Sequence, residues 1–563
     1  MNILSLLEAS LKPIFLSRAP AHIRTLFLSA SDFTRRAVTC HAVNLPAETA
    51  WNCAFEALAE RMCGKKPLIL RADWEVSRKT VTYAEFLQKV EKTRRNYFRF
   101  GLILDQFGAL ALSEMEINAN ALLYKAGDNP RGCLNRKHCD SYMQKHFQRN
   151  WPDLALESPV ALLTLGGAFA TESSVHLLSE QKLAQGRRHL AQHSPELFLD
   201  CAKRASRYLS RQCKADGRFD YGCFACFDRP IPTYNTLRHI STIWSMLCAY
   251  QAFREDETRQ AIVRATEYCV QHFLRQNKDC SYFEDVESGE LKLGSNGCAL
   301  IMLSLYTELI HNKKYLTLMR SLARGIVSMQ EEDGSFVHVL ASRDFSLKER
   351  MRIVYYDGEA VFGLLKLYRL TQEEWLLTAA KKAFAHFIAS EHWRHHDHWL
   401  SYAVNEITRV VPEEQYFLFG IANIQGYLDF VKKRETAYPT LLELMLAAQA
   451  MLSRLERLSF GPRLLALLDR TAFDEAMHSR AELLLNAHFW PELAMFFQKP
   501  ARIVDSFFIR HHAFRVRIDD VQHFVSAFIG YAQLLQAHNA SNAIVSSIDN
   551  AGQDKNTICS ALE

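Results

Sequence analysis

Four short stretches combine residue types and spacings that can do chemistry. In YYDGE, Asp357 and Glu359 follow Tyr355 and Tyr356. Cleaving a glycosidic bond takes two carboxyl groups facing that bond, one of them kept protonated by apolar surroundings, and aromatic faces for a sugar ring. Asp357 is a candidate half of such a pair and Tyr356 a candidate stacking face. Asp357 would also cap a helix opening at Gly358, with Glu359 favoured by the helix dipole. In SYAVNE, Asn405 and Glu406 follow Trp399 and Tyr402. Glu406 is the candidate base or acid partner for Asp357, or else part of an ordinary helix start. In RHHAFRVRIDDVQHF, Arg515 and Arg517 lie two apart, and on extended backbone both point the same way, fit to clamp a carboxylate or phosphate. Asp519 and His523 then share a helix face at i, i+4. The competing account is a salt-bridge network closing the last repeat on the first. In YNTLRHISTIW, Arg238 and His239 sit one turn inside a helix that also carries Trp244. His239 titrates near working pH as a base would, or is a core histidine bonded to a carbonyl.

Other patterns exclude function classes. HWRHHDHW holds four His and one Asp, but adjacent residues diverge and no HExxH frames them, so a solvated loop and no metal are expected. The 14 cysteines share no frame, and the pair Cys223 and Cys226 lacks a matching second pair, which suits free thiols in a reducing compartment. No phosphate loop or nucleophile elbow is present, and no cofactor is implied. A net charge of +5 without a dense Lys/Arg block gives no reason to expect a nucleic-acid partner. No run of about 18 uncharged apolar residues predicts a membrane span. The first residues lack a basic n-region and a cleavage site, so a cytoplasmic location is expected.

The elements that must position these residues fall into three parts. Residues 1–185 read as a mixed α/β accessory domain. Helical spacing follows Val81, and VALLTLGGAFA breaks into two short apolar runs at Gly166 and Gly167, as a hairpin or strand-turn would. Its basic stretch KTRRNYFRFG predicts a solvated or docking face, through which a protein partner is conceivable. Residues 186–538 read as amphipathic helices, and 539–563 as a polar tail without period. Within the helical part a turn recurs: a helix breaks into a polar stretch closed by an aromatic, at Phe219, Phe283, Phe336 and Trp399. Each turn leads to a helix of small and apolar residues, such as EAVFGLLKLY, while QEEWLLTAAKKAFAHF keeps a charged face. Inner apolar helices alternating with outer charged ones describe a ring of hairpins.

On DGRF, QEEDGSF, the run from Tyr355 to Ile388 and HWLSYAVNE, this part resembles the α/α-toroid families, which include sugar epimerases, glycoside hydrolases and polysaccharide lyases. A fainter likeness to terpenoid cyclases rests on Gln330, Gly334 and Phe336, without the acidic DxDD box. The resemblance implies a mainly α protein with a C-terminal toroid, and a hydrolase, lyase or epimerase acting on a sugar or polysaccharide precursor. Asp357, Glu406, Asp519 and His239 are then the expected acid-base residues. Tyr356, Trp399, Tyr402, Trp244, Arg238, Arg515, Arg517 and His523 are expected to bind the sugar. The competing expectation is a non-catalytic toroid that binds a glycan or a partner.

Overall fold

The computed structural model describes residues 3–559 except Ala126, Asp128, Asn129 and Lys182, and beyond residue 540 the backbone alone. The N-terminal part is one antiparallel sheet of β1 (His22–Ser31), β2 (Val38–Pro46), β3 (Ile69–Thr82), β4 (Gly101–Ile103), β5 (Ala111–Leu112), β6 (Pro159–Thr171) and β7 (Val175–Leu177). Its order is β2-β1-β3-β6-β4-β5, with β7 beside β6. Helices α1 (Ile3–Arg18), α2 (Ala47–Arg61), α3 (Tyr83–Lys92), α4 (Glu114–Ala119) and α5 (Arg136–Phe147) accompany it.

Alternation along β3 shows what each face covers, since successive side chains point to opposite faces. Leu70, Ala72 and Trp74 join the core under α1 and α2. Ile69 and Phe169 belong to the core of the helical part. Between them the buried Arg71 forks onto Asp73, with Nε and Nη2 donating at 2.8 and 2.7 Å, and Nη1 reaches the Glu492 carbonyl at 2.7 Å. The stretch expected as a solvated or docking face makes docking contacts: Asn96 donates to the Arg510 carbonyl at 2.7 Å, and Arg510 lies over the Tyr97 ring. The break expected at Gly166 and Gly167 is absent, because β6 is one continuous strand. Those glycines answer to crowding instead, since a Cβ on Gly166 would meet Val76 and one on Gly167 would meet the Ala72 carbonyl.

From residue 195 the chain forms a closed ring. The helices are α6 (Pro195–Gln212), α7 (Thr236–Phe253), α8 (Asp256–Phe273), α9 (Leu293–Ile310), α10 (Leu316–Ser328), α11 (Tyr355–Thr371), α12 (Glu374–Ala389), α13 (His398–Val410) and α14 (Glu414–Gln425). A short α15 (Leu428–Lys433) interrupts the fifth hairpin before α16 (Thr440–Leu455). One-turn α17 (Gly461–Leu465), α18 (Arg470–Leu484), two short helices α19 (Pro491–Ala494) and α20 (Pro500–Ile503), and α21 (Ile518–Cys559) complete the order. Helices α7, α9, α11, α13, α16 and α21 each pack on the next, and α21 packs back on α7. Helices α6, α8, α10, α12, α14 and α18 lie outside them, one per inner helix. Composition sorts the two sets: α9 is buried along nearly its whole length, whereas α8 keeps a charged solvent face. The boundary expected at residue 539 is overrun, for α21 continues to Cys559.

The recurring turn has a physical cause. Gly217 and Gly334 share φ of +93°, a region that favours glycine, and a Cβ at either would overlap a backbone carbonyl of the next outer helix, Arg264 or Lys382. In both turns a backbone bridge joins the ends, Cys213 to Phe219 and Gln330 to Phe336, which buries the aromatic.

Candidate functional site

All six inner helices start at one mouth of the ring, so their partly positive N-terminal ends face a common space and favour carboxylates there. The sequence supplies them: Asp357 and Glu359 on α11, Asp397 before α13, Glu443 on α16, and Asp519 and Asp520 on α21, all close to helix starts. Glycine brings the walls together. A Cβ on Gly297 of α9 would overlap the Glu359 backbone, and one on Gly363 would meet the Gly297 carbonyl, so α9 and α11 sit unusually close.

Two histidines face each other at this mouth. His398 in the first turn of α13 and His523 in the second turn of α21 have ring centroids 5.6 Å apart, at 73°. His523 Nδ1 lies 2.7 Å from Glu443 Oε2, and its Nε2 is 3.9 Å from Asp519 Oδ1. Burial alone would lower the His523 pKa, but the Glu443 and Asp519 carboxylates outweigh it and raise it. Burial would likewise raise Glu443, and the two histidines pull it below the usual range. Each group thus favours the charged form of the other, and the second Glu443 oxygen accepts from Ser526 Oγ at 2.5 Å and Tyr402 OH at 3.3 Å. His398 is arranged differently. Its Nδ1 is 3.1 Å from Asp397 Oδ1, while Asp397 Oδ2 caps α13 through the Leu400 N–H at 2.9 Å. Its Nε2 is buried without a hydrogen-bond partner.

Beside them, Asp357 accepts from His338 Nε2 at 3.2 Å and lies 3.7 Å from His392 Nε2. The His338 tautomer follows from the Arg352 N–H donating to Nδ1 at 3.0 Å, which leaves the proton on Nε2. Burial works to raise the Asp357 carboxyl, and the two histidines bring it below its ordinary value. Glu359 behaves oppositely: fully buried near the Asp397, Asp519 and Asp357 charges, its carboxyl is pushed well above the ordinary value and Oε2 has no partner. Burial and the neighbouring carboxylates thus favour its protonated form.

The arginines are engaged. Arg515 grips Asp520 bidentately at 2.7 and 2.8 Å, Arg517 holds Asp519 at 2.6 Å and Asp520 at 3.1 Å, and Arg238 reaches Asp519 at 3.1 Å. Burial opposes ionisation of Asp519, yet Arg517 and Arg238 bring it to about 2. Since Arg238 lies on the first inner helix and Asp519 on the last, this network closes the ring. Arg515 and Arg517 therefore meet protein carboxylates rather than open space. The aromatics also turn inward: Trp244, Trp399, Tyr402 and Phe362 pack on one another with centroids 5.5 to 6.5 Å apart, a floor below the histidines. Tyr356 is buried against His338. Tyr355, 42% exposed, is the aromatic at the rim.

Two expected residues lie elsewhere. Glu406 is at the far end of α13, paired with Arg369 Nη1 at 2.6 Å near the end of α11, so it opens on the opposite mouth from Asp357. One turn decides this, because α13 begins at His398, well before the SYAVNE segment that the spacing takes as its start. His239 is wholly buried: Nε2 donates to the Ala265 carbonyl at 2.9 Å and Nδ1 accepts from Tyr234 OH at 2.7 Å. Burial brings it down to about 4, a neutral core histidine. The stretch HWRHHDHW, expected in solvent, instead supplies His392, Asp397 and His398 to the mouth.

Sequence reading passed over Glu443, His398, Asp397, His338 and the acidic role of Glu359. Glu443 had a signal, a lone acid in the inner-helix run LLELMLAAQ, where an unpaired charge is costly. Among the described residues, His398, Glu443 and His523 are the set that could hold a metal ion, one donor atom of each lying within 4.8 Å of the others.

No family model matches the chain, nor does any curated protein. Solved structures do. A D-mannose isomerase matches with a TM-score of 0.46 at 11% identity, over 62% of this chain and 99% of that one. The cellobiose 2-epimerase of Spirochaeta thermophila matches at 0.45 and 11%, over 61% and 98%. A GH76 α-mannanase of Bacteroides thetaiotaomicron matches at 0.43 and 8%, over 61% and 100%.

Proposed function

We propose that this chain is a carbohydrate-active enzyme of the isomerase or epimerase type, which moves a proton on a carbon next to a sugar carbonyl. One observation carries the reading: two facing histidines at the ring mouth are held in opposite roles. Glu443 favours the charged form of His523, as a proton donor requires, while His398 keeps Nε2 without a hydrogen-bond partner, as a base requires. In the first step His398 Nε2 takes the C–H proton. The electron pair moves onto the carbonyl oxygen, which is stabilised by hydrogen bonds from the His523 imidazolium and the neutral Glu359 acid. Return of a proton to the same carbon from the opposite face, on the His523 side, gives an epimer; return to the neighbouring carbon, with the hydroxyl proton passing between the two oxygens, gives an isomer. The rim of Arg238, Tyr355 and His392 mixes polar groups with one aromatic face, which suits a polyhydroxylated substrate.

Glycoside hydrolysis by two carboxylates is the weaker reading, because Asp357 and Glu406 open on opposite mouths and Asp519 and Asp520 are bound by arginines. The test is turnover of reducing mono- and disaccharides followed by chromatography. Conversion to an isomer or epimer that His398→Asn lowers by about 10²-fold or more in kcat, with KM kept, supports the proposal. Release of monosaccharides from a disaccharide, or turnover undiminished in that variant, overturns it.

A further inference from the structure

A cavity of about 640 Å³, lined by none of the residues described at the ring mouth, lies where the sheet domain meets the helical part, a size that admits a small ligand. Its walls come from β2, α2 and α5 on one side and from residues 496–499 on the other. Six of its lining residues are cationic: Arg35, Arg36, Arg61, Lys65, Lys145 and Lys499.

Their partners separate the charges spent on the fold or on a carboxylate from those that face no carboxylate, of which Arg61 donates to the Thr39 carbonyl at 3.3 Å and Lys65 to the Arg61 carbonyl at 3.4 Å. Arg36 is spent on the fold, donating to the Ala119, Phe496 and Cys226 carbonyls and to Gln498. Lys499 is paired with Asp228 at 2.7 Å. Arg35, Arg61, Lys65 and Lys145 have no carboxylate within ion-pair distance among the described residues. The acid in the lining, Glu116, is buried and accepts from Tyr142 OH and the Ser113 N–H rather than from these cations, and its burial raises its pKa. Tyr142 in turn stacks on His146 with centroids 4.2 Å apart, a flat floor. His146 registers the local field: burial, followed by Lys145, Arg61 and Arg36, brings it to about 4.

Four unneutralised cations around a concave space, over a floor that adds a ring face, are arranged for a ligand of several negative charges. We infer that this cavity binds a phosphate-bearing small ligand, its phosphate groups held by Arg35, Arg61, Lys65 and Lys145 and the rest of it lying on the Tyr142–His146 pair. The site spans both parts of the chain, so an occupant would tie the sheet domain to residues 496–499. The inference stands apart from the proposed activity, which uses none of these residues.

The test is calorimetric titration of the full chain with two probes, inorganic pyrophosphate and ADP, at low and at moderate salt. Saturable binding below about 1 mM is expected, weakening as salt screens the charges. The double variant Arg61→Glu with Lys145→Glu should lose at least about tenfold in affinity. A charge-matched control, Lys137→Glu with Arg149→Glu, alters exposed residues outside the cavity and should bind as the parent does, with both variants checked by circular dichroism. Tighter binding of ADP points to a ligand whose phosphate is carried on a ring, and equal or tighter binding of pyrophosphate to the bare anion. Absence of saturable binding for both probes, or equal losses in the double variant and the control, overturns the inference.

Discussion

Replacing Glu443 by Gln keeps shape and removes one charge. The Glu443–His523 contact of 2.7 Å is buried, and at an effective dielectric constant of about 20 the attraction is roughly 6 kcal/mol before desolvation is counted. Desolvation of both groups offsets much of that, and His523 limits the loss in the variant by releasing its proton. A net cost of about 1 to 3 kcal/mol at neutral pH is expected. Its pH dependence has a definite sign. The His523 pKa is raised above 6.5, so its contribution is complete below 6.5 and is lost as pH rises through the folded value. The Glu443 pKa is lowered below 4.5, so its contribution is complete above 4.5 and is lost as pH falls through its folded value. The stability difference between parent and variant should therefore be greatest between about 4.5 and 6.5 and shrink on both sides. Denaturant unfolding across pH measures it, with an NMR titration of the His523 imidazole beside it. An unchanged His523 titration in Glu443→Gln, or a stability difference that does not vary with pH, would refute the reasoning.

Other outcomes follow from the same geometry. Glu406→Gln should leave turnover unaltered and cost about 1 to 2 kcal/mol, because the buried Glu406 loses its charged pairing with the half-exposed Arg369 at the other mouth; steady-state kinetics and a melt check both. Gly334→Ala should cost about 2 to 4 kcal/mol in denaturant unfolding, combining a strained φ with overlap on the Lys382 carbonyl. His239→Gln should lower thermal stability while leaving the pH profile of any activity in place, since His239 is neutral and hydrogen-bonded in the core.

The ring was legible because its physics repeats. Small and apolar inner helices, charged outer ones and the Gly-aromatic turns at Gly217 and Gly334 are local patterns with local causes. The sheet domain was legible only as mixed, since the long β6 carries two glycines that read as a break until the strand packed over them is seen. The site fared unevenly. Asp357, Asp519, Arg238 and His523 do gather at one mouth, because each stands near the start of an inner helix, a position the sequence pattern gives. Glu406 went astray because the helix it belongs to starts at His398, about one turn before the SYAVNE segment, which sets Glu406 more than two turns from the helix start and toward the other mouth. Partnering was the larger gap. That Arg515 and Arg517 are taken by Asp519 and Asp520, or that Glu443 comes from a different hairpin to charge His523, depends on ring closure over long sequence separation, which no local pattern records.

The most direct test of the central claim is solvent exchange at carbon. In deuterated water the parent protein should introduce deuterium at the carbon next to the carbonyl of a reducing sugar, read by proton NMR as loss of that signal. His398→Asn should abolish the exchange while the sugar still binds. Bound sugar with no deuterium entering, in the parent protein itself, would contradict the account and leave a toroid that binds without turning over.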